Sequence, residues 1–160
     1  MNDIEKFQFK LELILNLKSA KDIQDWAINR IEKNVTALEA LEICFFSKEE
    51  QVLDYFYNIK FEWLNLPSTL KKNFLREVLR QYIESSQAIE YSEELIRNIF
   101  RMLLELSEIA EDEDLYDFII HYDDEFYLAL DGISNLIPEE IWPTFLYDLK
   151  NWLLSDLLSA

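Results

Sequence analysis

The sequence predicts an all-α fold, on three observations. One glycine and three prolines stand in 160 residues, too few turn-formers for a sandwich or barrel and too few glycines for phosphate-cradling α/β loops. Half the residues are hydrophobic and 14 % aromatic, enough apolar surface for a sizeable core despite a formal charge of −17. Apolar residues recur at helical spacing behind a series of capping signatures. The expected architecture is a single-domain helical bundle or irregular helical array of seven to eight helices. Helix pairs recur without a fixed period, so a repeat solenoid has no sequence support.

The first element is ambiguous. Phe7, Phe9, Leu11, Leu13, Leu15 and Leu17 alternate as in a half-buried strand, while Phe7, Leu11, Ile14 and Leu15 make a helical stripe. Leucine, lysine and glutamate favour the helix, and a lone strand would have no evident partner. Ser19 with Asp22 reads as a capping box before Ile23, Trp26, Ala27 and Ile31. Thr36 with Glu39, then Ser47 with Glu50, repeat the pattern before two more short apolar stripes.

Pro67 marks the next start. The helix after it carries Leu70, Phe74, Leu75, Val78, Leu79 and Tyr82, with Lys71, Lys72, Arg76 and Arg80 on its other face. Ser92 caps a long helix running through Leu106, which Ile109 extends. A helix over about 114–130 closes at Gly132, a left-handed terminator. Pro138, Glu139 and Glu140 open the last helix, with Pro143 placed near its first turn and Ile141, Phe145, Leu149, Trp152 and Leu153 as its buried stripe.

Charge is the strongest functional signal. Between Arg101 and Lys150 there is no lysine or arginine, and the same span holds fourteen acidic residues. A balance of this sign repels nucleic acid and anionic membranes, so neither is an expected partner, and it favours a basic protein. The expected partner-binding residues are Glu108, Glu111, Asp112, Glu113, Asp114, Asp117, Asp123, Asp124 and Glu125. Tyr116, Tyr122 and Tyr127 supply rigid contact area beside them. The alternative is a solvated face that keeps an aromatic-rich protein in solution.

The basic face could bind phosphate, but ion pairing with the acidic segment is its favoured use. A single cysteine, Cys44, rules out an internal disulfide and fits a reducing compartment. The N-terminus has the wrong charge pattern for a signal peptide, and no run of about twenty apolar residues exists, so a cytoplasmic location is expected. Asp117, His121 and Glu125 share a helix face at metal-ligand spacing. With one histidine in the chain, a di-iron set cannot be completed and no metal or cofactor is expected. Cys44 lies in an apolar run that favours an inert thiol. Without glycine-rich phosphate loops, the chain reads as a binder and not an enzyme.

Three stretches carry a resemblance: Asp22 to Ala27, Leu106 to Tyr127, and Pro138 to Trp142. They resemble a family of small acidic bacterial proteins of uncharacterised domain, similar in turn to immunity proteins of polymorphic and contact-dependent inhibition toxin systems. The resemblance spans most of the chain and has no catalytic motif. It implies a cytoplasmic inhibitor that binds and neutralises a toxin domain, and it assigns no site residue. A scaffold or regulatory helical protein, binding through an apolar groove with Trp142 or Trp152 as anchor, is the alternative.

Overall fold

The computed structural model describes residues 1–34 and 37–159. Among them are eight α-helices and one short 3-10 turn, with no strand. The chain divides into two compact units, Met1–Pro67 and Ser68–Ala160.

The first unit holds α1 (Asp3–Ile14), α2 (Ala20–Lys33), α3 (Leu38–Cys44), α4 (Glu49–Tyr57) and the 3-10 turn Phe61–Trp63. The ambiguous first stretch is helical. Its N-cap is Asn2, whose side chain accepts from the Glu5 amide at 2.8 Å. It stops at Asn16 in the left-handed region (φ 56°). The Leu17 amide donates to the Glu12 carbonyl at 2.8 Å and the Asn16 amide to Leu13 at 3.1 Å, the two closing bonds of a Schellman motif. The alternation that mimicked a strand arises because Phe7, Phe9, Leu11, Leu13 and Leu15 are all buried. A helix apolar on most sides serves as a central element.

The Ser19–Asp22 capping box is present, with bonds of 2.8 and 3.2 Å. Thr36 lies outside the described residues. The cap at Ser47 differs from expectation: α4 begins at Glu49, and Gln51, not Glu50, reaches back to the amides of Ser47 (2.8 Å) and Lys48 (3.1 Å). Phe9 sits edge-on to Trp26 and Phe56 at 4.8 and 5.8 Å. Leu13, Ile23, Ala27, Ile43 and Val52 complete this core. Cys44 packs against it as a free thiol. The buried Lys10 crosses to the end of α4, donating to the carbonyls of Tyr57 and Ile59.

The second unit holds α5 (Ser68–Ser86), α6 (Glu93–Ile109), α7 (Glu113–Leu130) and α8 (Pro138–Ser159). Here α6 packs on α7 and α5, while α8 packs on α7 and α5. Phe100 is its hub, with Phe145, Trp142 and Phe126 at 5.0, 5.8 and 6.2 Å. Burying a phenylalanine this fully contributes about 1.5–3 kcal/mol. Ser92 caps α6 as expected, accepting from the Leu95 amide at 3.4 Å. Gly132 closes α7 at φ 73°, with the Ile133 amide on the Leu128 carbonyl at 2.9 Å and the Gly132 amide on Ala129 at 3.1 Å. Pro143 falls just past the first turn, as expected. It is the sixth residue of α8, and lacking an N–H it leaves the Glu139 carbonyl without its helical donor.

Candidate functional site

The acidic span folds into the corner between α6 and α7. Helix α6 ends in a third Schellman motif: the Asp112 amide donates to Ser107 at 2.9 Å and the Glu111 amide to Glu108 at 3.0 Å. Glu111 takes the left-handed position (φ 56°) where glycine is the usual occupant. The next residue, Asp112, caps α7 by accepting from the Leu115 amide at 3.2 Å. Glu113 and Asp114 then occupy the first turn, where the positive end of the helix dipole favours carboxylates.

Asp112 corrects the expected surface. It is 1 % exposed, and both its oxygens are held by Arg76: Oδ2 accepts from Nε at 2.7 Å and Oδ1 from Nη2 at 2.8 Å. The third guanidinium nitrogen of Arg76 donates to Asp156 on α8 at 2.6 Å, and the guanidinium lies over the Trp152 ring at 4.6 Å. One arginine of α5 therefore fastens the start of α7 and the end of α8. The Asp112 hydrogen bonds, against the opposing effect of burial, raise the Arg76 pKa above its already high value. Asp112 is thus a structural ligand of Arg76 and is out of reach of a partner.

Glu111 is exposed but partly engaged. It accepts from the Ser68 hydroxyl and pairs with Lys71 at 3.3 Å. These contacts, Ser68 first, hold its pKa below the usual carboxylate value. The basic face of α5 is therefore turned to the acidic corner, as its composition suggested. Glu125 accepts from the Ser134 hydroxyl at 2.7 Å. Asp123 is half-buried, and burial followed by the neighbouring Asp124 raises its pKa against the pull of Arg101.

The remaining five, Glu108, Glu113, Asp114, Asp117 and Asp124, are exposed. Among the described residues none of them has a basic nitrogen within 4.0 Å. Asp114, Asp117, His121, Asp124 and Leu128 follow at three- and four-residue steps and form the solvent face of α7, opposite the buried Leu115, Ile119, Phe126 and Ala129.

Two adjoining grooves shape this surface. One, of about 410 Å³, is lined by Glu108, Glu111, Glu113, Tyr116 and Asp117 around the buried Asp112. The other, of about 670 Å³, runs from Asp114 and Asp117 across Phe118 and Trp152 to Asp156 and Arg76. Asp117 borders both. The second groove has an aromatic floor, Phe118 and Trp152 lying 5.5 Å apart. Asp123, Asp124 and Glu125 lie outside both grooves, further along α7. Tyr116 lines the first groove. Tyr122 turns inward and donates to Asp148; burial first, then Asp148, raises its pKa.

In the trio Asp117, His121 and Glu125, the Glu125 carboxylate accepts from Ser134. Among the described residues no three His, Cys, Asp or Glu side chains are grouped to hold a metal ion. No described helix is long and apolar enough to cross a membrane.

One feature was missed at the level of sequence. The Arg76–Asp112 fastening had a signal: Asp112 stands at the N-cap spacing before Leu115, and a capping carboxylate at a helix junction is a natural target for an arginine on a neighbouring helix. The apolar groove that the alternative expects has a counterpart of about 440 Å³, bordered by Ile89, Tyr91, Ile96, Trp142, Leu146 and Tyr147, with Glu139 and Lys150 also in its lining. Of the two expected anchors, Trp142 lies in its wall at 4 % exposure, with its Nε1 donating to the Ser86 carbonyl at 3.4 Å. Trp152 lies half-buried under Arg76. Neither projects from the surface.

Compared with protein-family profiles, with curated protein sequences and with solved structures, the chain matches none.

Proposed function

We propose that this chain is a non-enzymatic binding protein of the immunity class, which captures a basic toxin domain on the acidic corner between α6 and α7 and so neutralises it. The observation that carries the reading is the set of five exposed carboxylates, Glu108, Glu113, Asp114, Asp117 and Asp124, without a described cation in pairing distance. They lie within a span of 48 residues that has no lysine or arginine. Carboxylates in this arrangement take the place of nucleic acid phosphates, so a nuclease is the toxin class that fits best. The negative field speeds capture by about 10–10³-fold over a neutral surface. Free Asp114 and Asp117 beside the aromatic groove offer arginine side chains both a charge and a stacking face.

The test is a tagged pull-down from the native host, eluted with a salt gradient and read by mass spectrometry. A dominant basic protein released at high salt is the expected result. With that protein in hand, the triple variant Asp114→Lys, Asp117→Lys and Asp124→Lys should slow association at least about tenfold and flatten its salt dependence. Asp112 is left intact because it holds the fold. An unchanged association rate would exclude the electrostatic reading.

The apolar groove beside Trp142 favours one second reading, an intracellular scaffold or regulatory helical protein whose partner binds with little salt dependence. Partners that resist the salt gradient would select it.

A further inference from the structure

The groove of about 670 Å³ between α7 and α8 draws its walls from one helical turn of each. On α7, Asp114, Asp117 and Phe118 stand at steps of three and four residues, so two carboxylates and a ring share one side of the helix. On α8, Trp152, Ser155 and Asp156 repeat that spacing. The rings of Phe118 and Trp152 are half-buried, 5.5 Å apart and tilted by 32°. Asp114 and Asp117 are exposed beside them.

One arginine already sits in this groove. The Arg76 guanidinium lies over the Trp152 ring at 4.6 Å, and its nitrogens donate to the carboxylates of Asp112 and Asp156 at 2.6 to 2.8 Å. It is held by one aromatic face and two carboxylates. Phe118 with Asp114 and Asp117 offers the same three groups on the α7 side of the groove. Among the described residues neither of these carboxylates has a basic nitrogen within 4.0 Å. Arg76 does not cancel their charge, because Asp112 and Asp156 already offset its own.

We infer that the groove is an arginine subsite: it takes one arginine side chain of the basic partner, with the guanidinium against Phe118 and its fork on Asp114 and Asp117. The occupant belongs to the partner, so the subsite rests on the capture proposed above. Charge complementarity alone would admit lysine equally. The aromatic floor separates the two. A guanidinium is planar, weakly hydrated and stacks on rings, while a lysine ammonium is a compact, strongly hydrated point charge. Two neighbouring carboxylates also suit a fork of several N–H donors better than a single ammonium. Asp124 lies outside the groove and has the charge without the ring.

N-acetyl-argininamide and N-acetyl-lysinamide, titrated into the chain at matched ionic strength, test the subsite without a toxin. The readout is the indole N–H resonance of Trp152, assigned with Trp152→Phe, while Trp26, Trp63 and Trp142 serve as references. The expected result is a saturable shift confined to Trp152, with a Kd of the order of 1–10 mM for the arginine amide and at least about fivefold weaker for the lysine amide. Asp114→Asn combined with Asp117→Asn, both at exposed positions, should weaken the arginine response at least about fivefold, and Asp124→Asn should not. Phe118→Leu, which keeps an apolar side chain in place, should bring arginine down to the level of lysine. Equal responses to the two amides overturn the inference, as does an arginine shift that fails to saturate by about 100 mM. A basic protein captured in the salt-gradient pull-down that binds the Phe118→Leu chain as tightly as the unaltered one overturns the subsite and leaves the capture standing. Saturable arginine binding with no captured basic protein overturns the capture and keeps the groove as a guanidinium site.

Discussion

At the scale of single residues, Asp112 and Arg76 show how an acidic surface can conceal a structural contact. Arg76 donates three hydrogen bonds and the Asp112 carboxylate accepts three within the second unit. Removing one partner of a buried pair strands the other, at a cost of about 3–5 kcal/mol. Asp112→Ala should therefore lower the urea midpoint more than any exposed acid variant, and Arg76→Ala should match it. Asp112→Asn should fall between, since asparagine caps a helix as well as aspartate but leaves the guanidinium short of charge. Equilibrium urea unfolding compares the three. If Asp112→Ala costs no more than Asp124→Ala, the fastening is unimportant. The sequence announced the excess of carboxylates but could not sort them. Whether a given acid meets solvent or an arginine depends on helix phase within one residue. Position 112 lies at the junction, where a shift of start from 114 to 113 turns the cap inward.

At the scale of elements, the ends were more legible than the middles. Gly132, Ser19 with Asp22, and Ser92 act through their own side chains or backbone freedom, so local chemistry predicts them. Gln51 takes the place expected of Glu50 because α4 starts at Glu49, which makes Gln51 the third helical residue that reaches back to the amides of Ser47 and Lys48. Pro143 stayed inside α8 because the packing of Trp142, Phe145 and Leu149 on the core outweighs one absent backbone bond. Of the apolar groove only Trp142 was legible, since its other wall needs the loop after α5 and the face of α8 brought together. The two left-handed closures of the second unit should behave in opposite ways. Gly132 has open space around an added Cβ, so Gly132→Ala meets backbone strain alone, costing about 1–2 kcal/mol. At Glu111, glycine relieves the same strain and gives up the exposed contacts to Ser68 and Lys71. Glu111→Gly should leave the thermal midpoint unchanged or raise it, while Gly132→Ala lowers it. Calorimetry on the pair decides. A fall in both would mean that the Lys71 contact outweighs the conformational term.

For the molecule as a whole, self-repulsion among 32 acids and 15 bases sets how stability answers pH and salt. Acidifying from pH 7 toward the isoelectric point near 4.3 neutralises carboxylates that repel one another, and stability rises. Asp123 acts in the same direction. Its folded pKa is raised, so its charged form costs stability above that value and the cost disappears as it protonates. Glu39, Asp22 and Glu111 act the opposite way. Glu39 is lowered by Tyr55 and Lys6 against the burial that would raise it, Asp22 by Ser19, and Glu111 by Ser68 and Lys71. What they contribute is present above their unfolded values and is lost as pH falls through the folded ones. The sum is a maximum at about pH 5, a decline below about pH 4, and a shallower decline toward neutrality. At the alkaline end, Tyr55 and Tyr122 are raised, by burial first and then by Glu39 and Asp148. Their neutral forms are favoured in the fold, so stability falls as pH rises past about 10. Salt separates the two acidic effects. At pH 7 added salt should raise the unfolding midpoint by screening like charges over a Debye length of about 8 Å at physiological strength, and at pH 5 its effect should shrink. Thermal unfolding across pH at two salt concentrations checks both. A midpoint that falls with salt at pH 7 would mean that the exposed carboxylates are held by cations in the fold, and the surface offered to a basic partner would be lost with them.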